Sequence, residues 1–252
     1  MTPARPAGNA LPAGLDTVLF DLDGTLVDSA AIWREAMGAT FATAFERYPQ
    51  LRALGSADEV YDRVLWPAAA ERGAGVGGEW SDDFLHHAFR RLLAEHATAD
   101  DAFAAELMAQ YERVRSAGTY QLYPDVAAAL DSLLGRYRLG LITNGPSENQ
   151  RSRIAPLGLD RYFKSIAVSG ELGIRKPDPA IFNQVLHEIS AQPSTAVYIG
   201  DSLGADVAGA HAAGVAAVWI NRTGAPRDDA PDATITTLDE LLPLLVGAIR
   251  SP

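Results

Sequence analysis

"FDLDGTLVDS", residues 20–29, places three carboxylates, Asp21, Asp23 and Asp28, directly after the apolar run "DTVLFD" (16–21). A short apolar run that ends in an acid reads as a buried strand whose end reaches a polar edge. Carboxylates repel one another, and burying one without a partner is costly. A solvated turn would account for a single acid here. A pair of acids at a strand end suits a solvated turn or a cation site. Residues i and i+2 of an extended segment point to the same side. Asp21 and Asp23 are therefore expected to face one cleft, with Leu22 turned away.

Working outward from this stretch, the pattern changes twice. From 29 to 118 the chain is rich in Ala, Leu, Glu and Arg, and poor in strand signals. Apolar residues spaced three and four apart in "SAAIWREAMGATFATAFERY" predict a helix. Three more are predicted in "SADEVYDRVL", "SDDFLHHAFRRLLAEHA" and "DDAFAAELMAQYERVR". Ser56 with Glu59 has capping-box spacing, and Ser81 is a good N-cap. Asp28 and Ser29 are expected to cap the first of these helices and to mark a hinge.

After residue 119 strands and helices alternate. "RLGLITNG" (138–145), "SIAVSG" (165–170), "AVYIGDS" (196–202) and "VAAVWIN" (215–221) read as strands. Asp178 followed by Pro179 reads as a helix start, and Gly214 as a helix stop. Thr237 and Glu240 form a second capping box. Alternation of this kind predicts an α/β fold, a Rossmann-like three-layer core with a mostly parallel sheet. The first strand belongs to that sheet, so the helical block is an insertion. The expected layout is a loose tail over 1–14, an α/β core over 15–28 and 119–252, and an all-helical domain over 29–118.

Composition narrows the function classes. The formal net charge is −11, which argues against nucleic acid or an anionic membrane as the main partner. There are no cysteines, so disulfides, thiolate ligands and cysteine nucleophiles are excluded. No apolar stretch approaches the roughly 20 residues needed to span a bilayer. The start, "MTPARPAGNALPAG", lacks the apolar core of a secretory signal, and the expected location is cytoplasmic. No obligatory protein partner is evident.

In open parallel sheets ligands gather beyond the carboxyl ends of the strands. Asp21, Thr143 with Asn144, and Asp201 each stand at such an end, and Asp206 lies just over one helical turn beyond Asp201. Clustered carboxylate oxygens suit Mg²⁺, a hard cation. Lys176, in "GIRKPDP", is one of two lysines in a chain whose other basic residues are arginines. A compact ammonium is not interchangeable with a guanidinium. Thr143 and the amides of "TNG" offer neutral donors to phosphate oxygens.

"FDLDGTLVDS", "LITNG", "GIRKPDPAIF" and "GDSLGADVAGA" together resemble the four ordered motifs of the haloacid dehalogenase superfamily. The resemblance covers the chain apart from its N-terminal tail, and the helical insert resembles that family's inserted cap, closing over the strand ends. The resemblance implies that Asp21 is a nucleophile forming an aspartyl-phosphate, and that Asp23 is the general acid and then the base. It implies Mg²⁺ held by Asp21 and Asp201 through their side chains and by Asp23 through its backbone carbonyl. Thr143, the Asn144 amide and Lys176 would stabilise phosphoryl oxygens, with Lys176 counted among the catalytic groups. Asp206 would hold metal-bound water or Lys176, and Gly24 would allow the sharp turn after the acids. Dehalogenases of the family lack an acid at the position of Asp23, so the resemblance points to its phosphatases. The implied activity is Mg²⁺-dependent hydrolysis of a small soluble phosphate ester: a nucleoside monophosphate, a sugar phosphate or phosphoglycolate. A phosphosugar mutase and a non-catalytic binding module are the alternatives.

Other segments read more plainly. "GAGVGG" (73–78) has dinucleotide-loop spacing but follows a helix rather than a strand, and is read as a link between helices. His86, His87 and His96 are read as surface or interhelix polar groups, and Trp33, Trp66 and Trp80 as packing in the insert. Trp219 ends a core strand.

Overall fold

The computed structural model describes residues 11–65, 82–226 and 230–249. The chain divides into two compact units, one made of Met1–Asp28 with Gln121–Pro252, the other of Ser29–Tyr120.

The first unit is built on one six-stranded sheet in the order β3-β2-β1-β4-β5-β6. Its strands are β1 (Thr17–Phe20), β2 (Arg138–Thr143), β3 (Ser165–Val168), β4 (Ala196–Gly200), β5 (Ala216–Ile220) and β6 (Ala233–Ile235). Every pairing is parallel. β1 is central and wholly buried, as its sequence, Thr-Val-Leu-Phe, requires of a strand covered on both faces. The chain runs outward from β1 to β3 on one side and from β4 to β6 on the other. Strand order therefore reverses between β1 and β4, the crevice where ligands gather in such sheets.

One face of the sheet packs Leu19, Ile142, Tyr198, Ala217 and Trp219 against Ile181, Phe182 and Val185. The last three belong to a helix, Pro179–Glu188, whose start is capped as expected: the Ala180 N–H donates to Asp178 Oδ1 at 2.9 Å. Glu240 Oε1 accepts from the Thr236 and Thr237 amides at 2.8 and 3.1 Å, holding the turn before the last helix. The strands fall where the sequence predicts them, except that β6 is unforeseen. Of the expected tail, Leu11 is buried while Ala13 and Gly14 are exposed; residues 1–10 lie outside the described residues.

The second unit has only helical secondary-structure elements among its described residues. It comprises α1 (Ala30–Arg47), a 3-10 segment (Pro49–Leu54), α2 (Ala57–Val60) with a π-turn (Tyr61–Leu65), α3 (Asp82–His96) and α4 (Asp101–Ala117). Its core joins Met37, Phe41, Leu51, Phe89, Leu92, Phe103 and Leu107. Ser56 and Glu59 form the expected reciprocal capping box. Ser29 stands at the start of α1 but makes no side-chain cap, because its own backbone is already helical. The Asp28 N–H donates to the Gln121 carbonyl at 2.9 Å. Trp33 packs edge-on against Tyr61 at 4.2 Å between ring centres. His86 and His87 are half-buried on α3. Ser81, Trp66, Trp80 and the "GAGVGG" segment lie outside the described residues.

Candidate active site

The turn after β1 is closed by its own backbone. The Gly24 N–H donates to the Val27 carbonyl at 2.9 Å, and the Leu26 and Val27 N–H groups both donate to Leu22 O. Leu22 is fully buried and Asp21 is buried as well, just past the end of β1. Gly24 has φ +78°, and a Cβ there would run into the Asp201 carboxylate. Only glycine suits both conditions. Gly200, at the end of β4, is equally constrained, since a Cβ would collide with Asp206. The sequence marked Gly24 but not Gly200.

At the switch point Lys176 is the hub. Its Nζ donates to Asp21 Oδ1 at 2.5 Å, to Asp206 Oδ1 at 2.8 Å and to the Tyr198 hydroxyl at 3.0 Å, using all three of its N–H bonds. Asp206 is held in place by the Ser202 N–H, which donates to its Oδ2 at 2.9 Å. Carboxylate oxygens of Asp21, Asp201 and Asp206 lie within 4.8 Å of one another. Trp219 Nε1 donates to the Asp201 carbonyl at 2.8 Å and fixes that loop.

The electrostatics follow from the count of charges. Three carboxylates share one ammonium, so negative charge is in excess. Burial pushes the Asp21 carboxyl up to about 7, Lys176 opposes the rise, and Asp206 adds to it. Asp201 keeps an accessible side chain, yet desolvation and its neighbours Asp21 and Asp206 raise its carboxyl well above the usual range. Burial alone would weaken the charge of Lys176, but Asp206 and Asp21 outweigh it and hold the ammonium pKa well above normal. An accessible carboxylate beside two buried ones, carrying surplus negative charge, is a donor set that fits a hard divalent cation.

Thr143 ends β2 and Asn144 follows it, and both are buried. Asn144 clamps the lysine segment: its Oδ1 accepts from the Lys176 N–H at 2.8 Å and its Nδ2 donates to the Lys176 carbonyl at 3.1 Å. The Thr143 hydroxyl lies 3.4 Å from the Asn144 carbonyl. The Gly145 N–H donates to Ser169 Oγ at 2.9 Å. Asp23 departs from the hub: its carboxylate pairs with Arg153 and Gln150, on the helix Ser147–Ile154 that follows β2.

The structure thus joins Asp21, Asp206 and Lys176 by direct bonds, brings Asp201 alongside, and leaves Asp23 in a separate ion pair. Sequence reasoning missed Tyr198, Gln150 and Arg153. Tyr198 reads as an ordinary strand aromatic, yet its buried hydroxyl accepts from Lys176 and has the Ile142 carbonyl and Asp206 Oδ1 within 3.1 and 3.2 Å. A tyrosine two residues before the Gly200 strand end was the available signal, since buried hydroxyls find partners.

Residues 15–214 match the family described as haloacid dehalogenase-like hydrolase. The chain is 36% identical over 247 residues to the phosphoserine phosphatase of Thermus thermophilus, covering 89% of this chain and 96% of that one. It is 32% identical over 236 residues to the glyceraldehyde 3-phosphate phosphatase of Methanopyrus kandleri, covering 90% and 96%. Among solved structures it is similar to the HAD-hydrolase YfnB of Bacillus subtilis bound to magnesium, with a TM-score of 0.71, 28% identity and coverage of 92% and 98%. With its sheet order, its strand-end acids and these relatives, the chain belongs to the haloacid dehalogenase-like hydrolases, among the phosphatases of that family.

Proposed function

We propose that the protein is a Mg²⁺-dependent phosphomonoesterase that hydrolyses a small soluble phosphate ester through an aspartyl-phosphate. The observation that carries this reading is the ion cluster in which Lys176 bonds Asp21 and Asp206 beside an accessible Asp201, at the point where strand order reverses. Such a cluster offers a carboxylate nucleophile and a fixed cation side by side, the two elements phosphoryl transfer needs.

An Asp21 oxygen attacks phosphorus, and the bond to the ester oxygen breaks. Asp23 gives that oxygen its proton, releasing an alcohol. Asp23, now a carboxylate, takes a proton from the water that attacks the aspartyl-phosphate. Inorganic phosphate leaves and Asp21 is regenerated. Thr143 and the Asn144 amide donate to the phosphoryl oxygens, and Lys176, whose N–H bonds are taken by Asp21, Asp206 and Tyr198, stabilises them by its charge. Mg²⁺ held by Asp21, Asp201 and the Asp23 carbonyl, with Asp206 supporting, would supply positive charge against the substrate phosphate. The helical unit Ser29–Tyr120 corresponds to the family's inserted cap. The relatives named above act on a phosphorylated amino acid and a phosphorylated triose, which supports a small polar metabolite as substrate rather than a polymer.

The test is phosphate release from a panel of nucleoside monophosphates, hexose and triose phosphates, phosphoglycolate and phosphoserine, with Mg²⁺ and with a chelator. Release from at least one ester that the chelator stops is the expected result. No release from any ester above background would favour a binding module. Isomerised sugar phosphate with little free phosphate would favour a mutase.

A further inference from the structure

Arg153 and Gln150 are buried polar residues that the proposed chemistry leaves unused. They sit three apart on the eight-residue helix Ser147–Ile154, hence on one face of it. Arg153 Nη1 pairs with Asp23 Oδ1, while its Nε donates to the Asn149 carbonyl at 2.9 Å. Gln150 Nε2 donates to Asp23 Oδ2 at 3.2 Å and also to the Asn144 carbonyl. Both oxygens of Asp23 are therefore held by one helix, from sequence distances of 130 and 127 residues.

The arrangement costs stability. Gln150 Oε1 is buried and has no hydrogen-bond partner among the described residues. An unmet buried acceptor forfeits a hydrogen bond that water would supply in the unfolded chain. Turning the amide over would place that oxygen against the Asp23 carboxylate and the Asn144 carbonyl, so the donating orientation is kept despite the orphan. A helix that served only to pack against the sheet would have no use for either bond.

We propose that Arg153 and Gln150 are positioning residues for Asp23: they set the direction of its carboxyl group and act on proton transfer to the departing alcohol without touching substrate. The inference rests on the phosphatase reading, in which Asp23 exchanges protons with the leaving group and with water. A misdirected Asp23 should matter most when the leaving oxygen is strongly basic, and least when it leaves unaided.

The experiment compares kcat/KM, which reads only as far as alcohol release, for p-nitrophenyl phosphate and for an alkyl phosphate that the parent hydrolyses. Arg153→Met, Arg153→Lys, Gln150→Met and Asp23→Asn are measured beside the parent. General acid–base catalysis contributes roughly 10²–10⁴-fold. Arg153→Met should lose about ten- to a hundredfold on the alkyl ester and less than about threefold on the aryl ester, a muted form of the Asp23→Asn pattern. Arg153→Lys should recover part of the alkyl activity. Equal losses on both esters, or no loss on either, would overturn the positioning role. If Arg153→Met does not fold, Gln150→Met, which removes only the amide, decides by the same ratio. A parent inactive on every ester would instead overturn the phosphatase reading, and the positioning role with it.

Discussion

Lys176 and Arg153 are both buried cations paired with a carboxylate of the stretch 20–29, but their surroundings differ. Lys176 meets two carboxylates and a hydroxyl, all buried, and spends every N–H bond on them. Arg153 meets Asp23, whose side chain is 31% exposed and whose other oxygen accepts a longer bond from Gln150. The first corner is a closed network around the proposed nucleophile. The second grips a carboxylate that keeps contact with solvent, as a group exchanging protons with a substrate and a water must. A nucleophile gains from being immovable, because attack distance is its whole function. A proton carrier serves two partners in turn and is better aimed than enclosed.

The largest effect should come from the closed corner. Asp21→Asn should lower turnover by at least about 10³-fold, since no second group stands in for the nucleophile. The fold should survive, and thermal stability should stay level or rise. The Asp21 carboxyl is already pushed up to about 7 by burial, so a neutral amide removes a charge that the folded state holds at a cost. Circular dichroism and a melting curve beside the phosphate assay check both halves. Retained turnover would mean that the reacting oxygen lies elsewhere.

Next comes the hub itself. Lys176→Met should abolish turnover and also destabilise, by about 3–5 kcal/mol near neutral pH, because it strands buried carboxylates. The sign of its pH dependence is fixed. Asp21 has a raised folded pKa, so it takes up a proton more readily when folded than when unfolded. The penalty should therefore be largest above pH 7 and shrink toward pH 5, as Asp21 neutralises. Denaturant unfolding at the two pH values measures it. Arg153→Met, by contrast, should cost little turnover on an ester with a good leaving group.

The two corners also differ in how far the sequence disclosed them. Asp21, Asp23, Gly24, Thr143, Asn144 and Asp201 stand in short local patterns at strand ends, where a residue's type and its place by a strand already suggest chemistry, and Lys176 and Asp206 stand in equally short patterns farther on. The sheet is legible for the same reason: each of its longer strands is built on a short, mostly apolar run. β6 is three residues, too short to show a period. Arg153 and Gln150 lie in "SENQRSRI", which reads as a polar surface helix, yet both are buried. Their partner is fixed by the parallel pairing of β1 with β2, which brings the turn after one strand beside the helix after the other. Tyr198 and Gly200 depend likewise on β4 lying next to β1. Pairings set by strand order leave no mark in any local window.

The smallest predicted effect separates aiming from mere support. The helix that carries Arg153 inward carries Arg151 outward, where its Nε and Nη2 each donate to Glu171 at 2.9 Å and Ser147 Oγ adds a bond at 2.6 Å. The Arg151 hydrogen bonds, with that of Ser147, pull the Glu171 carboxyl down to about 2. A depressed carboxyl contributes stability above its unfolded pKa of 4.5 and loses it as the pH falls toward 2. The group is partly solvated, so Glu171→Gln should cost no more than about 1 kcal/mol near neutrality. The gap between parent and variant should close between pH 5 and pH 2 in denaturant unfolding. Its ratio of alkyl to aryl kcat/KM should match the parent. If Glu171→Gln lowered that ratio as Arg153→Met is expected to, then placement of the helix would suffice to explain the effect. A ratio that moves with Arg153 and Gln150 but not with Glu171 belongs to the bonds made to Asp23 themselves.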